Sequence, residues 1–213
     1  MKRFIALITL FITSMPQAAT PIDGWYTSIS GGYLYIPGNI DKTINQITYN
    51  NANYQPGFDV GGTFGYQNTP MRYELEVTYL DANINSFTIN RLRATEPSGY
   101  NNGIMAMANV FYDFPAFIEP IKPFLGVGIG YDWVHMNING NIPGTLGNFS
   151  SSNNLFAYQA MAGLTFNFAE NYALTIGYRY NGTATNVYSI GDAFQAQTAN
   201  VGALYRFDEG RYQ

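Results

Sequence analysis

From residue 24 to residue 207 the chain alternates apolar and polar positions with a period of two in about eight stretches, the pattern of β-strands whose two faces meet different surroundings. The clearest stretch is residues 172–180, where Tyr172, Leu174, Ile176, Tyr178 and Tyr180 share one face and Ala173, Thr175, Gly177 and Arg179 the other. A helical period would mix the two sets. Residues 71–79 are equally regular, with Tyr73, Leu75, Val77 and Tyr79 opposed to Arg72, Glu74, Glu76 and Thr78. Several charges on one face of one strand require water or ionic partners on that side. The same alternation predicts strands over residues 24–35, 57–66, 103–112, 123–133, 156–167 and 194–207. Within 123–133 the apolar set Leu125, Val127, Ile129, Tyr131 and Trp133 is backed by Gly126, Gly128 and Gly130. Glycines on an inward face leave room for larger side chains opposite, which matters in a barrel barely wide enough for its own contents.

The links between these stretches alternate in length. Residues 67–70 and 168–171 read as tight turns and 114–120 as a short proline-punctuated link, whereas 37–56, 80–102, 134–155 and 181–193 are long and rich in Asn, Gly, Ser and Thr. Short turns on one rim and long loops on the other, joined by an even number of strands, place both termini in the periplasm and every long connection outside. Aromatic residues gather at both rims. Trp25, Tyr66, Tyr112, Phe166, Tyr172, Tyr205 and Phe207 lie near the short turns, and Tyr35, Tyr79, Tyr131, Trp133, Tyr158, Tyr178 and Tyr180 near the long loops, as two interfacial belts demand. The expected fold is therefore all-β: an eight-stranded antiparallel transmembrane up-and-down β-barrel with short periplasmic turns and four long surface loops. A soluble lipocalin-like barrel is the rival architecture, and it would turn the same apolar residues inward.

Composition sharpens this picture. Of 213 residues, 16% are aromatic and only 11% charged, yet no segment beyond the N-terminus is apolar for long enough to cross a bilayer as a helix. At the N-terminus, Met1, Lys2 and Arg3 precede an apolar run over residues 4–12 and the small residues Ala18 and Ala19. This is the layout of an export signal, expected over residues 1–19, with the barrel domain over 20–213. With 0 Cys, neither a disulfide framework nor a lipid-modified cysteine is expected. A net charge of -4 lacks the basic footprint that a nucleic-acid partner needs.

The segments MRYELEVTY with Arg72, Glu74 and Glu76, MANVFYDF with Asn109, Tyr112 and Asp113, PFLGVGIGYDW from Pro123 to Trp133, and the terminal NVGALYRF occur in that order. In this the chain resembles the outer-membrane β-barrel superfamily of the OmpA transmembrane domain, the neisserial opacity proteins and the rickettsial surface antigens. The resemblance covers essentially the whole chain after the export signal. It implies a Gram-negative outer-membrane location among lipid and lipopolysaccharide, assembly by the barrel-assembly machinery, and contact of the surface loops with host molecules. The last segment looks like the terminal strand signal read by that machinery, carried here by Asn200, Gly202, Tyr205 and Phe207; Asp208 to Gln213 follow it.

Candidate chemistry lies on the predicted lumen face, where Asp59, Arg72, Glu74, Glu76, Arg179 and Arg206 fall, with Asp113 near the periplasmic end. Buried carboxylates need cationic partners, and arginine supplies several donors in fixed geometry. Such a cluster reads either as a salt-bridge plug or as a charged gate in a narrow pore. No catalysis is expected. Lipid A deacylases on similar barrels pair a His with a Ser two residues on, whereas His135 is followed by Asn137. No cofactor or metal is expected either. The long loops carry apolar residues amid polar ones, among them Ile84, Phe87, Ile138 and Phe149, which fits strand extensions, loop self-packing or a host-protein contact. The functional expectation is an adhesin, surface antigen or envelope-structural protein, with a narrow solute channel or transporter as the alternative.

Overall fold

The computed structural model describes residues 21–37, 42–44, 47–89, 92–93, 95–116, 118–142, 145–184 and 195–208. These form β1 (Gly24–Tyr35), β2 (Lys42–Ile44), β3 (Ile47–Tyr54), β4 (Gly57–Asn68), β5 (Met71–Ile89), β6 (Leu92–Arg93), β7 (Thr95–Asp113), β8 (Ile121–Ile142), β9 (Thr145–Asn167), β10 (Tyr172–Thr183) and β11 (Gln195–Arg206). Eight of them make the wall. β1, β4, β5, β7, β8, β9, β10 and β11 each pair antiparallel with their neighbours in the chain, and β11 pairs back onto β1. The barrel is closed and up-and-down, as expected. The expected export signal lies outside the described residues.

The stagger of the wall follows from its register. Starting at Arg206 and stepping across successive partners Tyr26, Gly65, Glu74, Asn109, Gly128, Gln159 and Asn181, the path returns to β11 at Ala196, ten residues from its origin. Such a shear tilts the strands against the barrel axis and leaves an interior that side chains can fill.

The two faces separate as the alternation predicts. Ile29, Leu75, Val127 and Ile176 are 70%, 67%, 63% and 59% exposed, while Arg72, Glu76 and Asp59 on the opposite faces are 4%, 3% and 2% exposed. Apolar outside and polar inside is the reverse of a soluble lipocalin-like barrel, which rules that rival out, and it is the arrangement of a barrel solvated by lipid. Polar side chains on the outer face find local partners, as where Thr27 Oγ1 donates to the Thr63 carbonyl at 2.8 Å. Both aromatic belts form. At the periplasmic rim, Phe166, Phe168, Tyr172, Tyr205 and Phe207 make an unbroken chain of ring contacts across β9, β10 and β11, and Trp25 stacks on Phe64 at 5.0 Å.

Inside, large rings sit over glycines. A Cβ on Gly65 would lie 2.6 Å from the Tyr26 ring, one on Gly126 2.3 Å from the Phe111 ring, and one on Gly163 2.6 Å from the tip of Phe124. Of the β8 glycines expected to leave such room, Gly126 does so for the Phe111 ring and Gly128 for the Asn109 side chain, whereas Gly130 meets the Ala106 carbonyl first.

The expected outer loops need correction. Most of 80–102 and 134–155 continues the wall as paired strand, the β8–β9 ladder running without a break to Ile142 opposite Thr145. The short strands β2, β3 and β6 extend this outer sheet through β3 and β6 pairing with β5. Strands already held in register by the membrane-embedded wall can go on exchanging backbone hydrogen bonds without apolar alternation to advertise them.

Candidate functional site

The lumen is built in layers, because every second residue of eight strands points into it. Nearest the periplasm, Arg206 Nε donates to Gln67 Oε1 and Nη2 to Asn167 Oδ1, both at 3.0 Å. Above it, Arg72 Nε spans Asp113 Oδ1 and Oδ2 at 3.0 and 2.8 Å, and its Nη1 reaches Glu74 Oε1 at 3.1 Å. The Tyr26 hydroxyl donates to the same Glu74 oxygen. The guanidinium also lies 4.6 Å from the Phe111 ring centre and 5.3 Å from that of Phe124, so its faces meet π-electrons while its edge meets carboxylates.

The third layer centres on Glu76. Its Oε1 forms an ion pair with Arg179 Nη1 at 2.6 Å and accepts from Thr78 Oγ1 at 2.6 Å, and its Oε2 accepts from Asn109 Nδ2 at 2.7 Å and Gln159 Nε2 at 3.0 Å. Gln159 Nε2 also donates to Asn109 Oδ1 at 2.6 Å. Asp59 accepts from Asn200 Nδ2 and lies 3.9 Å from Arg179 Nη1. Glu76 is therefore paired and fully hydrogen-bonded, the condition under which a buried carboxylate is tolerated.

The network as a whole does not saturate itself. Arg72 Nη2, Arg179 Nε and Nη1, Asn200 Oδ1, Asp59 Oδ1 and Gln159 Oε1 are buried without a protein hydrogen-bond partner, Nη1 meeting Glu76 and Asp59 as an ion pair only. Between the second and third layers lies a cavity of about 80 Å³ lined by Ser28, Ser30, Thr63, Arg72, Glu74, Thr175 and Arg179 among others. That is room for several water molecules, the usual partners of buried polar atoms that the protein leaves open.

Toward the outer rim the lumen changes character. Leu34, Ile36, Leu80, Ala82, Met105, Met107, Ala157 and Ala196 form one contiguous cluster with no member more than 6% exposed. It draws on β1, β5, β7, β9 and β11. Set into this layer on β8 is Asp132, directly across the ladder from Met105, 1% exposed, with Oδ1 lacking a partner.

All six charged residues expected in the lumen point there and take part in these layers. Of the terminal signal residues, Tyr205 and Phe207 join the periplasmic belt; Asn200 turns inward to Asp59, and Gly202 faces Thr175, whose Oγ1 would be 2.6 Å from an added Cβ. Tyr26, Gln67, Gln159, Asn167 and Asp132 also point into the lumen, beyond the residues expected there from alternation. Each sits at an inward position of its strand, and carrying the phase of the alternation through every polar residue would have found all but Tyr26, whose neighbour Trp25 is equally apolar. His135, half-buried, stands opposite Asn102 and Ser152 in the ladder at the outer rim.

A closed eight-stranded barrel with an apolar exterior, two aromatic belts and a charged lumen defines the class of outer-membrane β-barrels. The chain belongs to the outer membrane protein beta-barrel domain family, which it matches over residues 4–207. A Gluconacetobacter diazotrophicus outer membrane protein is 28% identical over 205 residues, covering 85% of this chain and 53% of the relative. A Brucella abortus protein of uncharacterized role is 28% identical over 162 residues, 66% of this chain and 56% of its own length. The chain thus spans about half the length of the curated relatives it matches. Among solved structures, Neisserial surface protein A superposes with a TM-score of 0.57 at 18% identity, covering 86% of this chain and 97% of that one. A major outer membrane protein of Thermus thermophilus follows at 0.55 and 11%, covering 86% and 99%, and OprG of Pseudomonas aeruginosa at 0.53 and 11%, covering 89% and 99%. These similarities establish the shared fold and the outer-membrane location.

Proposed function

We infer that this protein acts at the cell surface through its outer hairpins, as an adhesin, surface antigen or envelope-structural protein, with the barrel as its anchor. The observation carrying this reading is the continuation of β5, β7, β8 and β9 above the outer aromatic belt as one hydrogen-bonded sheet, ending in the β8–β9 pair Ile142 and Thr145. A backbone ladder continued above the membrane offers a partner a surface at a lower entropic cost than an unpaired loop does. The lumen beneath is closed at rest by its side chains, which favours a surface role over free solute passage. The likeness to a protein described as a neisserial surface protein points the same way without naming a partner. Orientation and role are tested together. An epitope tag inserted between Ile142 and Thr145 is expected to bind antibody on intact cells. Replacing residues 84–99 and 138–149 by short turns is expected to abolish binding to host cells or extracellular matrix while the barrel still folds. Undiminished binding by the shortened barrel refutes the reading.

A further inference from the structure

On the lipid face of β9 the outward positions run Tyr158, Ala160, Ala162 and Leu164. The two alanines form a notch, because each outward neighbour is larger. Val127 and Leu125 stand beside them on β8 and Tyr180 and Tyr178 on β10, while Tyr158 and Leu164 close the notch above and below. From there a groove of about 490 Å³ continues across β8 to Val110 and Tyr112 on β7. Gly126 and Met161 also line it, although Met161 turns into the lumen and is only 8% exposed, so the floor is main chain and the walls are two successive rows of outward side chains. Paired alanines alone do not make such a feature. Ala106 and Ala108 are consecutive outward positions on β7, and neither lines the groove.

The groove runs obliquely from Tyr178 and Tyr180 on the outer side to Tyr112 on the periplasmic side, within the hydrocarbon layer. Water has no place there, and an unfilled trough forfeits the dispersion contacts of its lining, so hydrocarbon must occupy it. Three inter-strand steps of about 4.8 Å make it about 14 Å long, close to half of a hydrocarbon core roughly 30 Å thick. That is the reach of one acyl chain in one leaflet. The polar groups gather at the outer end, where the Tyr158 and Tyr180 hydroxyls are hydrogen-bonded to each other with Tyr178 beside them. Tyr112 at the other end is packed edge-on against Phe114, ring centres 4.9 Å apart. We propose that this trough binds one saturated acyl chain of lipid A, with the chain's carbonyl linkage at the tyrosine hydroxyls, so that a single outer-leaflet lipid is a stoichiometric partner of the barrel. A chain in the trough meets protein on its floor and both walls, whereas elsewhere on the wall it meets protein on one side only. A straight saturated chain can follow the trough, and a cis double bond would lift it out. This inference concerns the membrane-embedded wall and does not depend on what the outer hairpins bind.

The barrel is tested in dioleoylphosphatidylcholine nanodiscs doped with equal amounts of lipid A and dipalmitoylphosphatidylethanolamine. Retained lipid is read by native mass spectrometry, and folding of every variant is verified by heat-modifiable gel migration. The parent is expected to carry a single lipid A. Ala160→Leu combined with Ala162→Leu fills the trough with apolar groups that the lipid face tolerates, and is expected to lose that adduct. Ala106→Leu combined with Ala108→Leu adds the same bulk outside the trough and is expected to keep it. Tyr178→Phe combined with Tyr180→Phe is expected to release lipid A at lower collision energy than the parent. The proposal is overturned by a parent that retains no lipid A or holds phosphatidylethanolamine in its place, and by release that the tyrosine variant leaves unchanged. It is equally overturned if lipid A survives the filled trough or is lost from a folded Ala106→Leu/Ala108→Leu barrel. Should the Ala160→Leu/Ala162→Leu variant fail to refold, Ala160→Leu alone carries the same expectation, and undiminished lipid A on that folded variant is as decisive.

Discussion

Arg179→Met tests the energetic account of the lumen most sharply. Arg179 and Glu76 meet at 2.6 Å with side chains 9% and 2% exposed, so solvent screening offers little relief. Removing one partner of a buried pair strands the other, at a typical cost of about 3–5 kcal/mol. Glu76 keeps Thr78, Asn109 and Gln159 as donors, which puts the expectation at the lower end, about 3 kcal/mol. Arg206→Met is the internal control. It leaves behind two neutral acceptors, Gln67 and Asn167; two hydrogen bonds from a charged donor are worth about 3 kcal/mol, and removing a buried cation that forms no ion pair among the described residues recovers part of its desolvation cost, so the expected loss is about 2 kcal/mol. Replacing both members of the central pair, as Glu76→Leu with Arg179→Met, removes the stranded charge and is expected to recover much of the single-variant loss. The assay is reversible urea unfolding in lipid vesicles followed by the emission of Trp25 and Trp133, which sit at opposite interfaces. A folded-state loss for Arg179→Met no larger than for Arg206→Met, or a double variant less stable than Arg179→Met alone, would refute the reasoning.

Three further expectations follow from the wall. Leu75→Arg puts a charge on the lipid face of β5 and is expected to cost about 2–4 kcal/mol in the same unfolding assay, whereas Thr63→Ser inside is expected to be nearly silent; equal effects would contradict the face assignment. Gly126→Leu drives a side chain into the Phe111 ring, 2.3 Å from where its Cβ must stand, and overpacking of this kind costs about 1–3 kcal/mol; pairing it with Phe111→Ala is expected to restore the folded fraction on gels. Deleting Phe207, whose backbone N–H closes onto the Trp25 carbonyl at 2.8 Å, is expected to impair assembly in cells, while truncation after Phe207 is not; equal folding yields would count against the terminal signal.

The wall was readable from sequence wherever lipid stands on one side and the lumen on the other. Residues 24–35 came out as β1 with both ends in place, because Trp25, Ile29, Tyr33 and Tyr35 fall on one face and the small residues Ser28, Ser30 and Gly32 on the other. Above the outer belt the environment reverses, and so does the pattern: Leu80 and Ala82 turn inward and are buried while Asp81 faces out. A reader following apolar-outward alternation loses the strand at that point, which is why 80–102 and 134–155 read as loops. The charged lumen residues were equally legible, since a charge at an inward phase has nowhere else to go. Their partners were not. That Arg179 meets Glu76 across the lumen, and that Tyr26 lies over Gly65, depends on how far each strand is shifted against the next, which no local pattern records.

The register itself has a hidden degeneracy. Sliding any strand of this wall by two residues along its neighbour keeps each side chain on the face it already occupies, so the two-faced pattern alone is satisfied by a family of misassembled cylinders. The interior contents distinguish them. Tyr26 meets Gly65 only at the observed alignment, since a slip of two residues puts Thr63 or Gln67 opposite it, and such a slip at the seam or beside it would separate Asn200 from Asp59 and Arg206 from Gln67. The side chains that fill the lumen thus act as an alignment code, checked strand by strand as the cylinder closes, and a conservative exchange among them can be harmless to the finished wall yet permit the wrong one to form.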